Sequence, residues 1–271
     1  MGAGPLHLLN SGLAGRLEEE GHQVTVRSID LPPDFRATEI ASAFELSAAL
    51  AGGVAEAAKI GSFPLVLSGN CGPAALGCVG GLRSRIKIFW FDAHGDFNTP
   101  ETTRSGFLDG MALAAVTGRC WSGLARAIPG FKSVAEGHVT AIGVRDLDEE
   151  EAASFQRSDV KCVDHHSLRT DFSKTLANQG GIADVPAYVH VDLDVLDPVE
   201  GRMNGFAVPD GLSLDDLKWC FAQIASRQAI RAASVTAFDP ASDVTGRAAT
   251  AAVGAILALV ATSAASARSQ T

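Results

Sequence analysis

The chain has 271 residues, a net charge of −9 and 46 % hydrophobic residues, enough for one large domain with a substantial core. The acidic balance argues against a nucleic-acid or anionic-membrane partner. Five cysteines, at 71, 78, 120, 162 and 220, are widely scattered with no CxxC pair, so neither a zinc ribbon nor a disulfide framework is indicated and a cytoplasmic home is the simplest expectation.

Residues 1–4 lack a basic region, so no signal peptide is expected. Residues 5–20 read as a helix, with Pro5 at an early position and Leu6, Leu9, Leu13 and Leu17 at helical spacing. Gly21 ends it. Val24 and Val26 alternate in a short strand expected over 23–28, and Leu31-Pro32-Pro33 follows as a loop. Ile40, Phe44, Ala48, Ala51 and Ala55 form an apolar stripe on a helix over 37–59. A buried strand from Pro64 runs into the Gly-flanked turn Ser68-Gly69-Asn70-Cys71-Gly72, and Pro73 starts the next helix. Residues 87–91 form a strand, a loop runs to Gly110, and a helix begins near Met111. A strand over 138–143 precedes an acidic helix start at Glu149-Glu150-Glu151, where negative charge suits the helix dipole. A strand over 160–163, a helix over 170–178 and a strand over 187–191 come next. Ser213 caps a helix through Gln223, a last strand covers 231–238, and a terminal helix starts near Arg247. The Ala-rich run 249–267 suits a packed amphipathic helix better than a membrane span, and 266–271 reads as a flexible tail.

Strands alternate with helices throughout. That is the pattern of an α/β protein: a single-domain three-layer α/β/α fold with a mostly parallel sheet, here over residues 1–265. In such sheets ligands bind outside the carboxyl ends of the strands. Two strand ends carry matching chemistry. The apolar run Phe89-Trp90-Phe91 leads into Asp92-Ala93-His94-Gly95-Asp96, and Tyr188-Val189-His190-Val191 leads into Asp192-Leu193-Asp194. Alternate residues of a strand share a face, so each end aims its ligands at one point. Turn aspartates are common after strands, but two such ends with period-two ligands favour a metal site. The donor set suits a hard or borderline divalent ion such as Mn²⁺. Cys71 and Asp148 also fall just past strand ends. His165-His166 reads as a solvated loop, and His190 as a core or supporting histidine behind the ligands.

These residues resemble the arginase (ureohydrolase) family. The segment 92–96 matches its first metal motif, and Asp192-Leu193-Asp194-Val195-Leu196-Asp197-Pro198 its second. The stretch from Asn98 to Gly106 is similar to the arginase substrate loop, and that from Gly143 to Asp148 to the segment that binds a substrate α-amino group. The resemblance runs from about Gly4 to the end, with the family's first strand missing ahead of it. It implies an arginase-like fold and two Mn²⁺ ions bridged by a hydroxide that attacks a guanidinium carbon and releases urea. By match, Asp92 and Asp192 bridge the metals, His94 and Asp194 bind one ion, and Asp96 binds the other and orients the hydroxide. Asn98, Ser105 and Asp148, with Glu151 behind, suit the amino-acid end of a small guanidino substrate. A homo-oligomer stays open.

Three positions depart from the family pattern. Cys71 replaces a metal-binding histidine, and a soft thiolate should weaken one Mn²⁺ site or favour another ion such as Zn²⁺. Asp109 stands where arginase has a histidine on its catalytic loop. Ala237 replaces the glutamate that holds the guanidinium, with Asp239 close enough in sequence to compensate. A cysteine like Cys71 and a loop like that from Asn98 to Ser105 are features of hydroxyarginine hydrolases in this family, which makes a hydroxyarginine-like substrate a candidate. Cys71 and Ala237 also favour a rival reading, a catalytically impaired metal-binding homologue. A zinc deacetylase of the same fold is disfavoured, because one zinc needs fewer carboxylates.

Overall fold

Six strands gather the most buried backbone of the chain into one sheet. The computed structural model describes residues 1–177 and 185–268. In chain order the strands are β1 (Leu65–Leu67), β2 (Lys87–Phe91), β3 (Val139–Ile142), β4 (Lys161–Val163), β5 (Ala187–Asp192) and β6 (Ile230–Thr236). They lie in the order β1-β6-β5-β2-β3-β4, with every neighbouring pair parallel. β2 and β5 are adjacent at the centre and buried at every position, as expected for strands covered on both faces. From β2 the chain moves outward to β3 and β4, and from β5 it moves the other way to β6. The crevice between β2 and β5 is therefore the switch point of the sheet, where ligands of such folds bind.

The helices are α1 (Gly4–Asn10), α2 (Leu13–Glu19), α3 (Glu39–Lys59), α4 (Cys71–Leu82), α5 (Ala112–Thr117), α6 (Ser122–Ala125), α7 (Glu149–Gln156), α8 (Leu168–Ala177), α9 (Leu214–Ala225) and α10 (Arg247–Arg268). Side-chain alternation splits the core in two. Phe89, Phe91, Val189 and Val191 pack with α8, α9 and α10; Ile88, Trp90 and Tyr188 pack with α3, α4 and α5. Helix α4 lies tight against α3 because it is Gly-rich. A Cβ at Gly77 would stand 2.7 Å from the Leu50 side chain, and one at Gly81 2.5 Å from that of Val54. Two helices, α3 and residues 247–266 of α10, are long and apolar enough to cross a membrane. Here α3 packs on α4, and α10 on α9 and β6.

The α/β/α layering and the strand assignments agree with expectation, with local corrections. The expected strand over 23–28 is absent; the segment is coil and pairs with no strand. Only Val24 packs against the core, while Val26 is 55 % exposed, so the alternation buries too little to hold a strand. The helix expected over 5–20 is broken at Gly12, whose φ of 86° ends one helical segment before the next begins. The 111 helix is preceded by a 3₁₀ turn, Asp109–Met111, and the helix expected from Pro73 starts at Cys71. The last strand stops at Thr236 because Ala237 turns into the left-handed region, φ 62°. Residues 266–268, expected in a tail, continue α10, and Ser266 is buried. Asn178, expected to end a helix, and residues 269–271 lie outside the described residues.

Candidate metal centre

Parallel pairing puts the two motif-bearing strand ends side by side. Phe91 is in register with Val191 and Trp90 with His190, so Asp92, His94 and Asp96 after β2 meet Asp192 and Asp194 at the end of β5. His94 Nδ1 lies 3.3 Å from Asp92 Oδ1 and 3.5 Å from Asp194 Oδ2. Asp92, Asp192 and Asp194 are each fixed by nearby donors. Asp92 Oδ1 accepts from His94 N at 2.8 Å and its Oδ2 from Trp90 Nε1 at 3.2 Å. Asp192 Oδ1 accepts from Asp194 N at 2.9 Å. Asp194 accepts from Ala93 N at 3.3 Å and from Asn204 Nδ2 at 3.0 Å. Cys71, at the first turn of α4, donates its thiol to Asp192 Oδ2 at 3.1 Å and stands 3.1 Å from Thr236 Oγ1. The six residues expected as ligands (Cys71, Asp92, His94, Asp96, Asp192 and Asp194) thus converge on one crevice.

The electrostatics are those of a carboxylate cluster awaiting positive charge. Burial pushes the Asp92 carboxyl up to about 6 despite the hydrogen bond from His94. Burial, then the neighbouring Asp194 and Asp92, pushes Asp192 well above the carboxylate range. Burial and Asp92 do the same to Asp96. Burial raises Asp194 too, but the His94 hydrogen bond outweighs it and holds the group low. Burial would lower the imidazole of His94, yet Asp194 and Asp92 raise it to about 12. Asp96 carries two further marks. Its φ is 49°, a strained conformation for a side chain with a Cβ, and its buried Oδ2 has no hydrogen-bond partner. A buried unpaired carboxylate oxygen is unfavourable, and a cation at this point would satisfy it. The donor set and this orphan oxygen fit divalent metal.

Other expected site residues fall into place unevenly. Asn98 Nδ2 donates to Asp148 Oδ2 at 3.0 Å, and Thr102 Oγ1 donates to Asn98 Oδ1 at 2.8 Å. The other oxygen of Asp148 caps α7 through Glu151 N at 2.9 Å. Burial raises Asp148, but the Glu151 N–H and Asn98 together bring it below its ordinary value. Ser105 sits on an exposed turn, its Oγ accepting from Phe107 N at 3.1 Å. Glu151 is 5 % exposed, accepts from Phe97 N at 2.8 Å, and burial lifts it to about 7. It holds the loop after Asp96 from below; a Cβ on Gly95 would lie 2.6 Å from its Oε1. Asp109 serves the start of α4, accepting from Cys71 N, Gly72 N and Asn70 Nδ2 at 3.0, 2.8 and 3.0 Å. Asp239 caps the short turn Pro240–Ser242 through Ala241 N at 3.1 Å. Asp164, His165 and His166 stand together after β4, mostly exposed.

Sequence reasoning missed two supports. The guanidinium of Arg145 donates to the carbonyls of Gly143, Val195, Asp194, Val208 and Pro209 at 2.9–3.3 Å, tying the loop after β3 to the one after β5. Its place in the stretch from Gly143 to Asp148 was the available signal. Asn204 Nδ2 donates to both Asp194 Oδ2 and the Ala237 carbonyl at 3.0 Å; no spacing pattern marked it.

A model of the Arginase family matches residues 10–262 of this chain. The chain belongs to the arginase family. It is 32 % identical to an arginase of Bacillus caldovelox over 251 residues, covering 89 % of this chain and 79 % of that one. It is 30 % identical to an N(omega)-hydroxy-L-arginine amidinohydrolase of Streptomyces lavendulae over 143 residues, 53 % of this chain and 48 % of the relative. The crystal structure of an arginase from Bacillus cereus superposes with a TM-score of 0.85 at 29 % identity, covering 95 % of this chain and 91 % of that one. The arginase-family chain is thus a hydrolase of the ureohydrolase type, and its metal-type residues sit in the crevice between β2 and β5.

Proposed function

We propose that this chain is a Mn²⁺-dependent, binuclear hydrolase that cleaves a linear C–N bond of a guanidino compound with an amino-acid end and releases urea. The observation that carries the reading is the convergence of Asp92, His94, Asp96, Asp192 and Asp194 from adjacent strand ends, with Asp96 Oδ2 buried and unpartnered. Asp92, Asp192, Asp194, His94, Asp96 and Cys71 would hold the cations. Bound there, divalent ions supply Lewis-acid activation of water and a clamp on developing charge. His94 must give up its proton to act as a ligand. Asp96, with a buried oxygen that accepts from no protein donor, would bind an ion and orient the attacking water. Asn98 and Asp148, already hydrogen-bonded to each other, offer an amide and a carboxylate to a substrate's charged tail. Five cysteines without a disulfide among the described residues support a reducing compartment.

The head side of the substrate is held less firmly. Ala237 is buried, its carbonyl accepts from Asn204, and its methyl side chain offers no carboxylate of its own to grip a guanidinium. A charge-assisted hydrogen bond is worth roughly 1.5–3 kcal/mol, so its loss costs about ten- to a hundredfold in preference. Plain arginine should therefore be a poor substrate and an N-hydroxyguanidino amino acid a better one. Release of urea from arginine and of N-hydroxyurea from the N-hydroxyguanidino amino acid, with the unmodified chain and with Ala237→Glu, tests this. The substitution should shift preference toward arginine; efficient arginine hydrolysis by the unmodified chain refutes the reading of the head pocket.

A further inference from the structure

On the α4 side of the sheet, a buried polar column runs beneath the carboxylates. Tyr188, His190 and Asp192 alternate along β5, and Ser234 and Thr236 face them from β6, in register with His190 and Asp192. The His190 ring is fully buried and stacked on Trp90, centroids 3.8 Å apart and planes within 18°. Its Nδ1 is held by Ser234 Oγ at 2.8 Å and by Tyr188 OH at 3.2 Å. Its Nε2 has no hydrogen-bond partner. Cys71 and Asp92 each bring a ligand atom near the same ring, and the three ligand atoms lie within 4.8 Å of one another.

We propose that Cys71, Asp92 and His190 form a thiolate–carboxylate–imidazole site for a thiophilic divalent ion of the zinc class. Cys71 alone would weaken the centre toward hard ions, and His190 brings an imidazole to the same crevice from β5. The proposal rests on the reading that this crevice holds metal, and it names a ligand, His190, that the reading does not contain. Three features converge on it. Thiolate and imidazole are zinc ligands, with bonds of about 2.3 and about 2.0–2.1 Å, which put ligand atoms roughly 3.3–3.7 Å apart in a tetrahedron; from separations within 4.8 Å this needs closure of at most about 1.5 Å. A ligating histidine usually has its other ring nitrogen engaged by an acceptor that fixes tautomer and orientation. Ser234 Oγ and Tyr188 OH are within reach to accept from Nδ1–H, the tautomer that leaves the Nε2 lone pair free. The stack on Trp90, whose Nε1–H also donates to Asp92 Oδ2, locks the ring beside the carboxylate that would share the ion. Loading involves no redox change: the Cys71 proton now shared with Asp192 leaves to solvent, and the ion takes its place.

Cobalt substitution provides the test. The chelated full-length chain is titrated with Co²⁺, then with Zn²⁺ and Mn²⁺ in competition with a chromophoric chelator. The unmodified chain is expected to show a thiolate-to-cobalt charge-transfer band in the near ultraviolet, with the intense visible absorption of four-coordinate cobalt. Cys71→Ser should abolish the ultraviolet band. His190→Asn and His190→Gln should each weaken Zn²⁺ at this site by about tenfold or more while leaving Mn²⁺ affinity within about threefold. Bound cobalt without the charge-transfer band overturns this proposal and leaves the binuclear hydrolase standing. No bound cobalt overturns both. A band with unchanged Zn²⁺ affinity in either folded His190 variant removes His190 from the site. Should neither variant fold, the cobalt spectrum of the unmodified chain decides: octahedral absorption contradicts the site.

Discussion

Glu151 lies under the loop that carries Asp96, and its replacement by glutamine isolates the energy stored there. The carboxylate is 5 % exposed and accepts from Phe97 N. Burial raises its pKa from 4.5 to about 7. A tenfold change in proton affinity corresponds to about 1.36 kcal/mol, so the ionised form costs folding about 3 kcal/mol. An acid whose pKa is raised on folding binds its proton more tightly in the native state. Its stabilising share is therefore whole below pH 4.5, fades as pH rises through the folded value near 7, and is gone above it. Glutamine keeps an acceptor for Phe97 N–H and has no charge to bury. Urea denaturation of both chains, with chelator present so that bound cations do not contribute, should give similar stabilities near pH 4.5. At pH 8 the Glu151→Gln chain should be the more stable, by about 2–3 kcal/mol. Parallel stability curves from pH 4.5 to 8 would refute the reasoning, because they would mean that Glu151 is solvated or paired where it is placed.

Further outcomes follow from the same geometry. Asp109→Ala removes the acceptor of Cys71 N, Gly72 N and Asn70 Nδ2 and should destabilise the chain by about 2 kcal/mol in denaturant melts; a change under about 0.5 kcal/mol would contradict the capping role. Arg145→Lys leaves an ammonium with three donors against five carbonyls, and its thermal midpoint should fall by roughly 4–8 °C for a loss of about 2 kcal/mol. An unchanged midpoint would show that those carbonyls are satisfied without it. Asp92→Asn and Asp192→Asn each remove a charge that the proposed ions share, so elemental analysis after dialysis should find binuclear loading lost in both. Retention of two tightly bound ions in both variants would rule out the ligand assignment.

The centre was legible in the sequence because parallel strands translate spacing directly into geometry. Asp92, His94 and Asp96 follow an apolar run at period two, as do Asp192 and Asp194, and both runs proved to be the fully buried central strands. What stayed hidden depends on neighbours remote in sequence. Arg145 is placed by carbonyls as distant as Pro209, and Asn204 links Asp194 to Ala237 across two loops. Asp109 reads as a loop acid in the catalytic region, yet the backbone amides of α4 claim both its oxygens. His190 alternates with Asp192 and reads as core; only the three-dimensional packing shows Nε2 without a partner beside Cys71. The residues 23–28 failed for the opposite reason, since two valines satisfy a local pattern while Val26 is left exposed with no buried face to receive it.

The central claim is that the clustered carboxylates serve hydrolysis by holding divalent cations, and it is tested by counting metal and the released urea-type product in the same sample. The chain is stripped with chelator, reloaded with Mn²⁺ in steps, and assayed at each step against an N-hydroxyguanidino amino acid. N-hydroxyurea release should be absent in the stripped chain and rise with loading toward two ions per chain. Equal product release before and after stripping, or full loading with neither urea nor N-hydroxyurea from any guanidino compound, would contradict it.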